Sequence, residues 1–137
     1  VKGALDGCPV EFRVNPNFES GQSTSVRIGV EAARERGWNA TIFALGDMPF
    51  VASSTVDLLR ERYAAGDGTI VAAGYGGKRG NPVLFDERHY DVLADVTGDM
   101  GGRRLVEEHE DAVIVETDDP GVVRDVDYEE DLEKYTE

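Results

Sequence analysis

The sequence predicts an α/β sandwich built on a mainly parallel sheet. Short apolar runs typical of buried strands alternate with segments of helical periodicity, and most of the loops between them are short. Strands that are joined through helices in this way usually lie parallel in one sheet. The stretch from Gly74 to Phe85 interrupts the alternation, so we expect a hairpin or an antiparallel excursion there.

The predicted elements are placed by their periodicity and by the residues at their ends. Apolar residues at helical spacing, preceded by small polar residues or followed by glycine, predict the helices. These cover 22–36, 53–65, 87–96, 103–109 and 129–135, with Ser23 or Thr24 as the N-cap of the first. Runs rich in β-branched and aromatic residues predict strands over 9–14, 41–45, 69–73, 83–85, 112–116 and 122–126. The strand over 41–45 is largely apolar, which predicts burial on both faces.

The length and the apolar content indicate one domain. A chain of 137 residues is long enough to bury a core, and 40% of its residues are hydrophobic. No apolar run approaches the roughly 20 residues that a membrane span needs, and no leader resembles a signal peptide. We therefore expect a soluble, cytoplasmic protein without a membrane partner. The single cysteine, Cys8, excludes an internal disulfide framework.

The charge balance indicates which partners the protein avoids. There are 28 acidic residues against 14 basic ones, which gives a net charge of −14 and would repel a nucleic-acid backbone. Only 3 of the basic residues are lysine. An acidic, lysine-poor surface is typical of proteins from a high-salt cytoplasm, because salt screens the repulsion between like charges.

Asp47 stands where the strand predicted over 41–45 ends. Gly46 breaks the apolar run, and Pro49 prevents the chain from continuing directly as a strand or a helix. In open α/β sheets, ligands bind at the carboxyl ends of the strands. Asp47 is therefore a candidate metal ligand, and a turn or helix-capping role is the alternative.

Three further loops carry groups that suit a phosphate. The loop 20–25 precedes a helix, whose free backbone donors and serine hydroxyls can hold an anion. The loop 77–82 places Lys78 and Arg79 among glycines, and the loop 97–104 combines Asp99 with two arginines. For each loop the alternative is structural: an ordinary N-cap, a solvated hairpin tip or a transition into a helix.

An acidic run near the end of the sequence offers a second metal ligand. If Asp125 and Asp127 lie on an extended segment, the period of two places both carboxylates on one face. Such a pair could complete a Mg²⁺ site that Asp47 also contributes to. The alternative is a solvated acidic face at the start of a helix.

Other common catalytic patterns are not found in the sequence. His89 and His109 lie on predicted helices without a ligand at metal-binding spacing, so a zinc site is not expected. Cys8 has no activating neighbour. The glycine-rich stretches match neither a P-loop nor a dinucleotide-binding fingerprint, and no Gly-x-Ser-x-Gly turn is present.

Taken together, the motifs resemble the nucleotidyltransferases that complete the molybdenum cofactor. The likeness is to the molybdopterin cytidylyltransferase branch and its guanylyltransferase relatives, and five motifs in one order carry it across nearly the whole chain. They are Asn15 with Ser20-Gly21-Gln22-Ser23-Thr24-Ser25, Leu45-Gly46-Asp47-Met48-Pro49, Arg79-Gly80-Asn81-Pro82-Val83-Leu84-Phe85, Gly98-Asp99-Met100-Gly101-Gly102-Arg103 and Asp125-Val126-Asp127-Tyr128-Glu129-Glu130-Asp131-Leu132. Met48 replaces the glutamine of the family motif. The N-terminal nucleotide loop of the family has no counterpart, so we expect a single domain over 1–137 that is incomplete at its N-terminus.

The resemblance implies a fold and a reaction. The fold is a Rossmann-like three-layer αβα sandwich of the nucleotide-diphospho-sugar transferase type, without its first β-α unit. The reaction transfers NMP from an NTP, CTP or GTP, to the terminal phosphate of a molybdopterin-type cofactor and releases pyrophosphate. The alternatives are a sugar-phosphate or phospholactate nucleotidyltransferase, and a non-catalytic α/β binding module.

The resemblance also implies roles for individual residues. Asp47 and Asp127 would be the catalytic carboxylates that hold Mg²⁺. The substrate-binding residues would be Ser23 and Ser25 beside the nucleotide, and Arg79, Asn81, Asp99 and Arg103 elsewhere in the site. The partners would be an NTP and a phosphorylated small molecule.

The acidic composition predicts that the protein needs salt to be stable. We expect the melting temperature to rise with KCl from low to molar concentration, because screening weakens repulsion among the surplus carboxylates. Thermal unfolding followed by circular dichroism at stepped KCl measures this. A melting temperature that stays flat over the series would contradict the prediction.

Overall fold

The computed structural model describes residues 10–16, 22–95 and 102–124. In these ranges it contains four strands, four α-helices and two 3₁₀ helices. In chain order they are α1 (Gln22–Arg36), β1 (Ala40–Phe43), α2 (Ser53–Ala64), β2 (Ile70–Tyr75), β3 (Lys78–Asp86), a 3₁₀ helix (Glu87–His89), α3 (Tyr90–Asp95), α4 (Arg103–Glu108), β4 (Ala112–Glu116) and a second 3₁₀ helix (Pro120–Val123). No helix in these ranges has both the length and the apolar character that a membrane crossing requires.

The four strands form one mixed sheet in the order β1-β3-β2-β4. β3 is antiparallel to both of its neighbours, whereas β4 is parallel to β2. β1, β2 and β4 therefore run in the same direction and β3 alone is reversed. Gly76 and Gly77 make the tight turn from β2 to β3 with φ of 59° and 80°, a conformation that glycine adopts without steric cost. The predicted mainly parallel sheet with one antiparallel excursion is confirmed.

Helices cover both faces of the sheet, as a three-layer αβα sandwich requires. β2 alternates between the two cores: Ile70 and Ala72 face one, and Val71 and Ala73 face the other. The first core joins the sheet to α1, α3 and α4, and the second joins it to α2 and the 3₁₀ helix Pro120–Val123. β2 is buried along almost its whole length because it lies between β3 and β4 and is covered on both faces.

Polar contacts that are partly buried stabilise the C-terminal end of β3. The Tyr63 hydroxyl of α2 donates a hydrogen bond to Asp86, and the Arg88 backbone N–H donates to the same carboxylate at 2.9 Å. Burial raises the pKa of Tyr63 to about 12, and the neighbouring Asp86 adds to the effect. Burial opposes ionisation of Asp86, but hydrogen bonds from Tyr63 and Arg88 outweigh it and lower the pKa of that carboxyl.

The prediction of a strand over 9–14 is wrong for residues 10–14, which are the part that the structure describes. Val10, Phe12 and Val14 alternate as in a strand, yet all three are exposed and no regular structure is assigned to them. Alternation produces a strand only where another strand can pair with it. Instead, this segment is held to α1 by ion pairs such as Arg13 with Glu35, whose nitrogen and oxygen lie 2.5 Å apart.

Two further local predictions need correction. β1 lies at an edge of the described sheet and is only partly buried, because only β3 pairs with it. The sequence predicts a strand over 122–126, but Val122 and Val123 belong to the 3₁₀ helix Pro120–Val123. Asp119 caps this helix, and proline occupies its first turn. The helix predicted over 129–135 lies outside the described residues.

The bounds of α1 and the start of α2 agree with the prediction, but the capping residues do not. Ser23 and Thr24, predicted as N-caps of α1, lie in its first turn because that helix already begins at Gln22. α2 begins at Ser53 with Ala52 as its N-cap residue, and Ala52 has no side-chain acceptor for the free helix donors. The acceptor for α2 comes from another part of the chain.

His89 and His109 form a pair that the sequence analysis did not predict. Their rings pack edge to face with centroids 4.7 Å apart. His89 is buried, and its Nε2 lies 2.9 Å from the Thr69 hydroxyl. Burial lowers the pKa of His89, and the facing His109 ring lowers it further. Among the described residues no group of three His, Cys, Asp or Glu side chains is arranged to hold a metal ion.

The buried His89 makes the fold sensitive to acid. Its pKa in the folded protein lies below the reference value of 6.5, so the unfolded chain takes up the proton first as the pH falls. The contribution of neutral His89 to the free energy of unfolding is therefore complete above the reference value of 6.5. It is lost as the pH falls from that value through the lower pKa of the folded protein. Urea denaturation between about pH 7 and pH 5 measures this loss, which should be smaller in His89→Gln. An unchanged pH profile in that variant would show that His89 is not the responsible group.

Candidate functional site

Strand direction explains why distant residues meet at one end of the sheet. Phe43, the last residue of β1, pairs with Val83 of the antiparallel β3. The start of β3 therefore lies at the same end of the sheet as the finish of β1. Arg79 and Asn81 precede Val83, so they lie beside the chain that leads from β1 toward Asp47. A parallel β3 would have placed them at the opposite end.

A cavity of about 420 Å³ opens at this end of the sheet. Its apolar walls come from α1, β1, β3 and α4, and two aromatic rings pack edge to face within it. Phe43 and Phe85 have ring centroids 5.9 Å apart at an angle of 70°. The polar lining residues are Ser25, Arg79, Asn81 and Arg103, and the apolar ones include Val26, Leu45, Val83 and Val106.

The polar side chains reach the cavity from three elements. Arg79 and Asn81 of β3 line it together with Val83 and Phe85, and Ser25 reaches it from α1. Arg103 is the first residue of α4. The cavity therefore combines two cations, an amide and a hydroxyl with an apolar interior.

An asparagine outside the cavity holds the hydroxyls at the start of α1. The Asn15 amide nitrogen donates to the Thr24 hydroxyl at 2.8 Å and to the Ser25 hydroxyl at 2.9 Å. Ser25 lines the cavity, whereas the Ser23 side chain is buried with 2% exposure. Of the two serines predicted beside the nucleotide, the structure brings only Ser25 to the cavity.

Asp47 lies two residues beyond Leu45, which lines the cavity. The Met48 backbone N–H donates to the Leu45 carbonyl at 3.2 Å, and the Met48 side chain is buried. This turn leaves Asp47 exposed, and its carboxylate makes no hydrogen bond or ion pair with another described residue. A free carboxylate suits Mg²⁺ or Mn²⁺, which commonly bind through one or two carboxylates together with substrate phosphates.

The other predicted carboxylates cannot be placed in this geometry. Asp99, Asp125 and Asp127 lie outside the described residues. The roles of these residues, and of Asp47 as a metal ligand, stay predictions.

A wider groove at the other end of β3 has no comparable arrangement. It measures about 600 Å³ and is lined by charged side chains that include Asp86, Arg88 and Asp91. Arg88 pairs with Asp86 at 2.9 Å, and Arg34 pairs with Asp91. Asp86 pairs with Ala40, the first residue of β1, so this groove lies at the end of the sheet away from Asp47 and is separate from the cavity.

Glu107 is a residue of the site that the sequence analysis missed. Its Oε1 lies 3.0 Å from Nε of Arg103 and 3.9 Å from the guanidinium of Arg79. One carboxylate thus faces both cations of the cavity. The spacing of four residues between Arg103 and Glu107 on a helix could have indicated the first contact, but the contact with Arg79 depends on the fold.

Comparison with known proteins decides the family. A model of the MobA-like NTP transferase domain matches residues 1–113. The chain belongs to the MobA-like NTP transferase family. This confirms the family resemblance that the five sequence motifs carry.

Relatives of this MobA-like chain include proteins from Bacillus and Mycobacterium. It is 26% identical over 124 residues to the purine catabolism protein PucB of Bacillus subtilis (strain 168), and the match covers 89% of this chain and 59% of PucB. Rv0371c of Mycobacterium tuberculosis H37Rv, solved in complex with manganese, superposes with a TM-score of 0.64 at 26% identity. That match covers 80% of this chain and 58% of Rv0371c.

A second mycobacterial structure shows the same fold. The Rv0371c homologue from Mycobacterium sp. strain JC1 superposes with a TM-score of 0.68 at 25% identity, covering 83% of this chain and 56% of that protein. The chain therefore spans somewhat more than half the length of these relatives. The shared architecture confirms the predicted NTP-transferase type of α/β fold.

The position of Glu107 predicts a change in anion binding. Glu107→Gln removes the carboxylate that faces Arg79 and Arg103, so inorganic phosphate should bind more tightly, by roughly two- to fivefold for a largely exposed pair. Isothermal titration calorimetry at low salt measures the Kd. Glu108→Gln is the matched control, because Glu108 makes the same type of pair with Arg104, which does not line the cavity. Equal affinities in the two variants would contradict the prediction.

Proposed function

We propose that this chain carries the site of a nucleotidyltransferase that moves NMP from CTP or GTP to the terminal phosphate of a molybdopterin-type acceptor. The supporting observation is that Ser25, Arg79, Asn81 and Arg103 line one cavity beside the turn that carries Asp47. These residues come from separate elements, and membership of the MobA-like family agrees with an NTP as one substrate.

The cavity favours an acceptor with an apolar or ring-shaped body and a phosphate at one end. Phe43, which packs on the buried Phe85, provides aromatic surface for the body, whereas Arg79 and Arg103 provide cations for the phosphate. A small polar acceptor such as phospholactate would leave the apolar walls in contact with water. This is the reason for preferring a pterin-like acceptor over the sugar-phosphate and phospholactate alternatives.

The reaction needs alignment and charge neutralisation but no protein nucleophile. An oxygen of the acceptor phosphate forms a bond to the α-phosphorus of the NTP, while the bond from that phosphorus to the β-phosphate oxygen breaks and pyrophosphate leaves. Arg79 and Arg103 would hold the acceptor phosphate in line. The Asn81 amide and the Ser25 hydroxyl would fix its orientation through hydrogen bonds.

Asp47 would hold the divalent metal ion, with Asp127 as the second carboxylate inferred from the sequence. When bound, the metal offsets the negative charge that develops on the phosphates. The carboxylate of Asp47 is exposed and pairs with no other residue that the structure describes, which is compatible with this role. Manganese in the related Rv0371c structure supports a divalent cation, and we propose Mg²⁺ as the ion used by this protein.

Replacing Asp47 tests the proposal. In the protein expressed from its full reading frame, Asp47→Ala should reduce the rate of nucleotide transfer by more than about 100-fold. Loss of a residue that only supports a metal ligand typically costs roughly 10- to 100-fold, and Asp47 is proposed to be a ligand itself. Release of pyrophosphate from CTP or GTP, with a molybdopterin-type acceptor and Mg²⁺, measures the rate. Circular dichroism should show an unchanged fold, because Asp47 is exposed.

The matched control is Asp95→Ala, which removes an exposed carboxylate at the end of α3. We expect this variant to retain the wild-type rate. Unchanged turnover in Asp47→Ala would remove Asp47 from the mechanism. A wild-type protein that binds no NTP in the presence of Mg²⁺ would instead indicate a non-catalytic binding module.

A further inference from the structure

Asp119 connects two parts of the molecule that are far apart in the sequence. Its Oδ2 accepts hydrogen bonds from the Ala52 backbone N–H at 2.8 Å and from the Thr55 hydroxyl at 2.7 Å. Its Oδ1 accepts one from the Gly121 backbone N–H at 2.9 Å. Asp119 therefore caps its own 3₁₀ helix with one oxygen and the start of α2 with the other.

The cap on α2 is one that the local sequence does not provide. Ala52 is the N-cap residue and has no side-chain oxygen, and the first turn of α2 contains no acid. Free backbone donors at a helix N-terminus need an acceptor, and a carboxylate also interacts favourably with the helix dipole. Asp119, near the C-terminal end of the described residues, supplies both the acceptor and the negative charge.

The backbone of the 3₁₀ helix Pro120–Val123 packs closely on both sides of this contact. A Cβ atom on Gly121 would lie 2.2 Å from the Phe50 carbonyl oxygen, and one on Gly80 would lie 2.0 Å from the Val122 carbonyl oxygen. Only glycine permits approaches as close as these. The 3₁₀ helix therefore touches the loop that follows Asp47 on one side and the start of β3 on the other.

The upstream side of Asp119 is fixed to the sheet as well. The Asp119 backbone N–H donates to the Thr117 hydroxyl at 3.2 Å, and that hydroxyl donates to the Gly74 carbonyl of β2 at 2.9 Å. Asp119 thus rests on the sheet while its carboxylate reaches across to α2.

We propose that Asp119 is a positioning residue for the site: it holds the turn that carries Asp47 in register with Arg79 and Asn81 on β3. This inference rests on the proposed function. Its role is to hold the backbone: the two carboxylate oxygens accept three hydrogen bonds from the chain itself. If its carboxylate is lost, the loop 46–52 and the start of β3 can move relative to each other, and the metal-binding and phosphate-binding groups lose their alignment.

Asp119→Asn tests the proposal by removing one of the two acceptor oxygens. We expect a folded protein with kcat reduced by about tenfold to a hundredfold, a smaller change in KM for the NTP, and weaker Mn²⁺ binding by electron paramagnetic resonance. Asp118→Asn changes the same charge at an exposed neighbour and should match the wild type. Wild-type kcat and Mn²⁺ affinity in folded Asp119→Asn would overturn the proposal.

A second pair of variants covers the case in which Asp119→Asn fails to fold. Thr55→Val removes a single hydrogen bond to Asp119, and Thr55→Ser keeps it. The valine variant should show a partial loss of kcat and of Mn²⁺ affinity, and the serine variant should recover both. Equal behaviour of the two would contradict a positioning role.

Backbone hydrogen exchange gives a result that does not depend on catalysis. In Asp119→Asn, or in Thr55→Val if the first does not fold, exchange should rise by about tenfold in both 50–52 and 79–81, and stay unchanged in 70–73. A rise confined to the start of α2 would show a plain helix cap and overturn the proposal. If the wild type neither binds Mn²⁺ nor transfers a nucleotide, the proposed function fails, while these exchange rates still decide whether Asp119 joins the two parts.

Discussion

The reversed strand β3 is the constraint on which the rest of the structure depends. It pairs with β1 on one side and β2 on the other, so it holds together two parallel strands that do not touch each other. Its inner residues contribute to both cores. One end is fastened through Asp86 to Tyr63 and Arg88, and the other end carries Arg79 and Asn81 into the cavity.

The chemistry of the site follows from this strand arrangement. Because β3 is antiparallel to β1, its first residues lie beside the last residues of β1 and the turn that holds Asp47. Arg79 and Asn81 line the same cavity as Val83 and Phe85 farther along β3. An arginine and an amide thus lie beside the exposed carboxylate of Asp47 because of the backbone direction of β3, and α4 adds Arg103 with its partner Glu107.

Features with a local physical cause could be predicted from the sequence. The helical period of α1 and the glycine that follows it agree with its bounds of 22–36, and the apolar run of β4 gives 112–116. Features that depend on distant contacts could not. The edge position of β1, the contact of Glu107 with Arg79 and the cap that Asp119 places on α2 all join residues whose proximity no local pattern encodes.

The position of a metal ion bound together with an NTP tests the central claim most directly. Crystals grown with Mn²⁺ and a non-hydrolysable CTP or GTP analogue would locate the ion by its anomalous scattering. We expect the ion within about 2.0 to 2.6 Å of a carboxylate oxygen of Asp47, with the nucleotide phosphates directed toward the cavity that Arg79 and Arg103 line. An ion bound elsewhere, with Asp47 free in solvent, would contradict the proposed site.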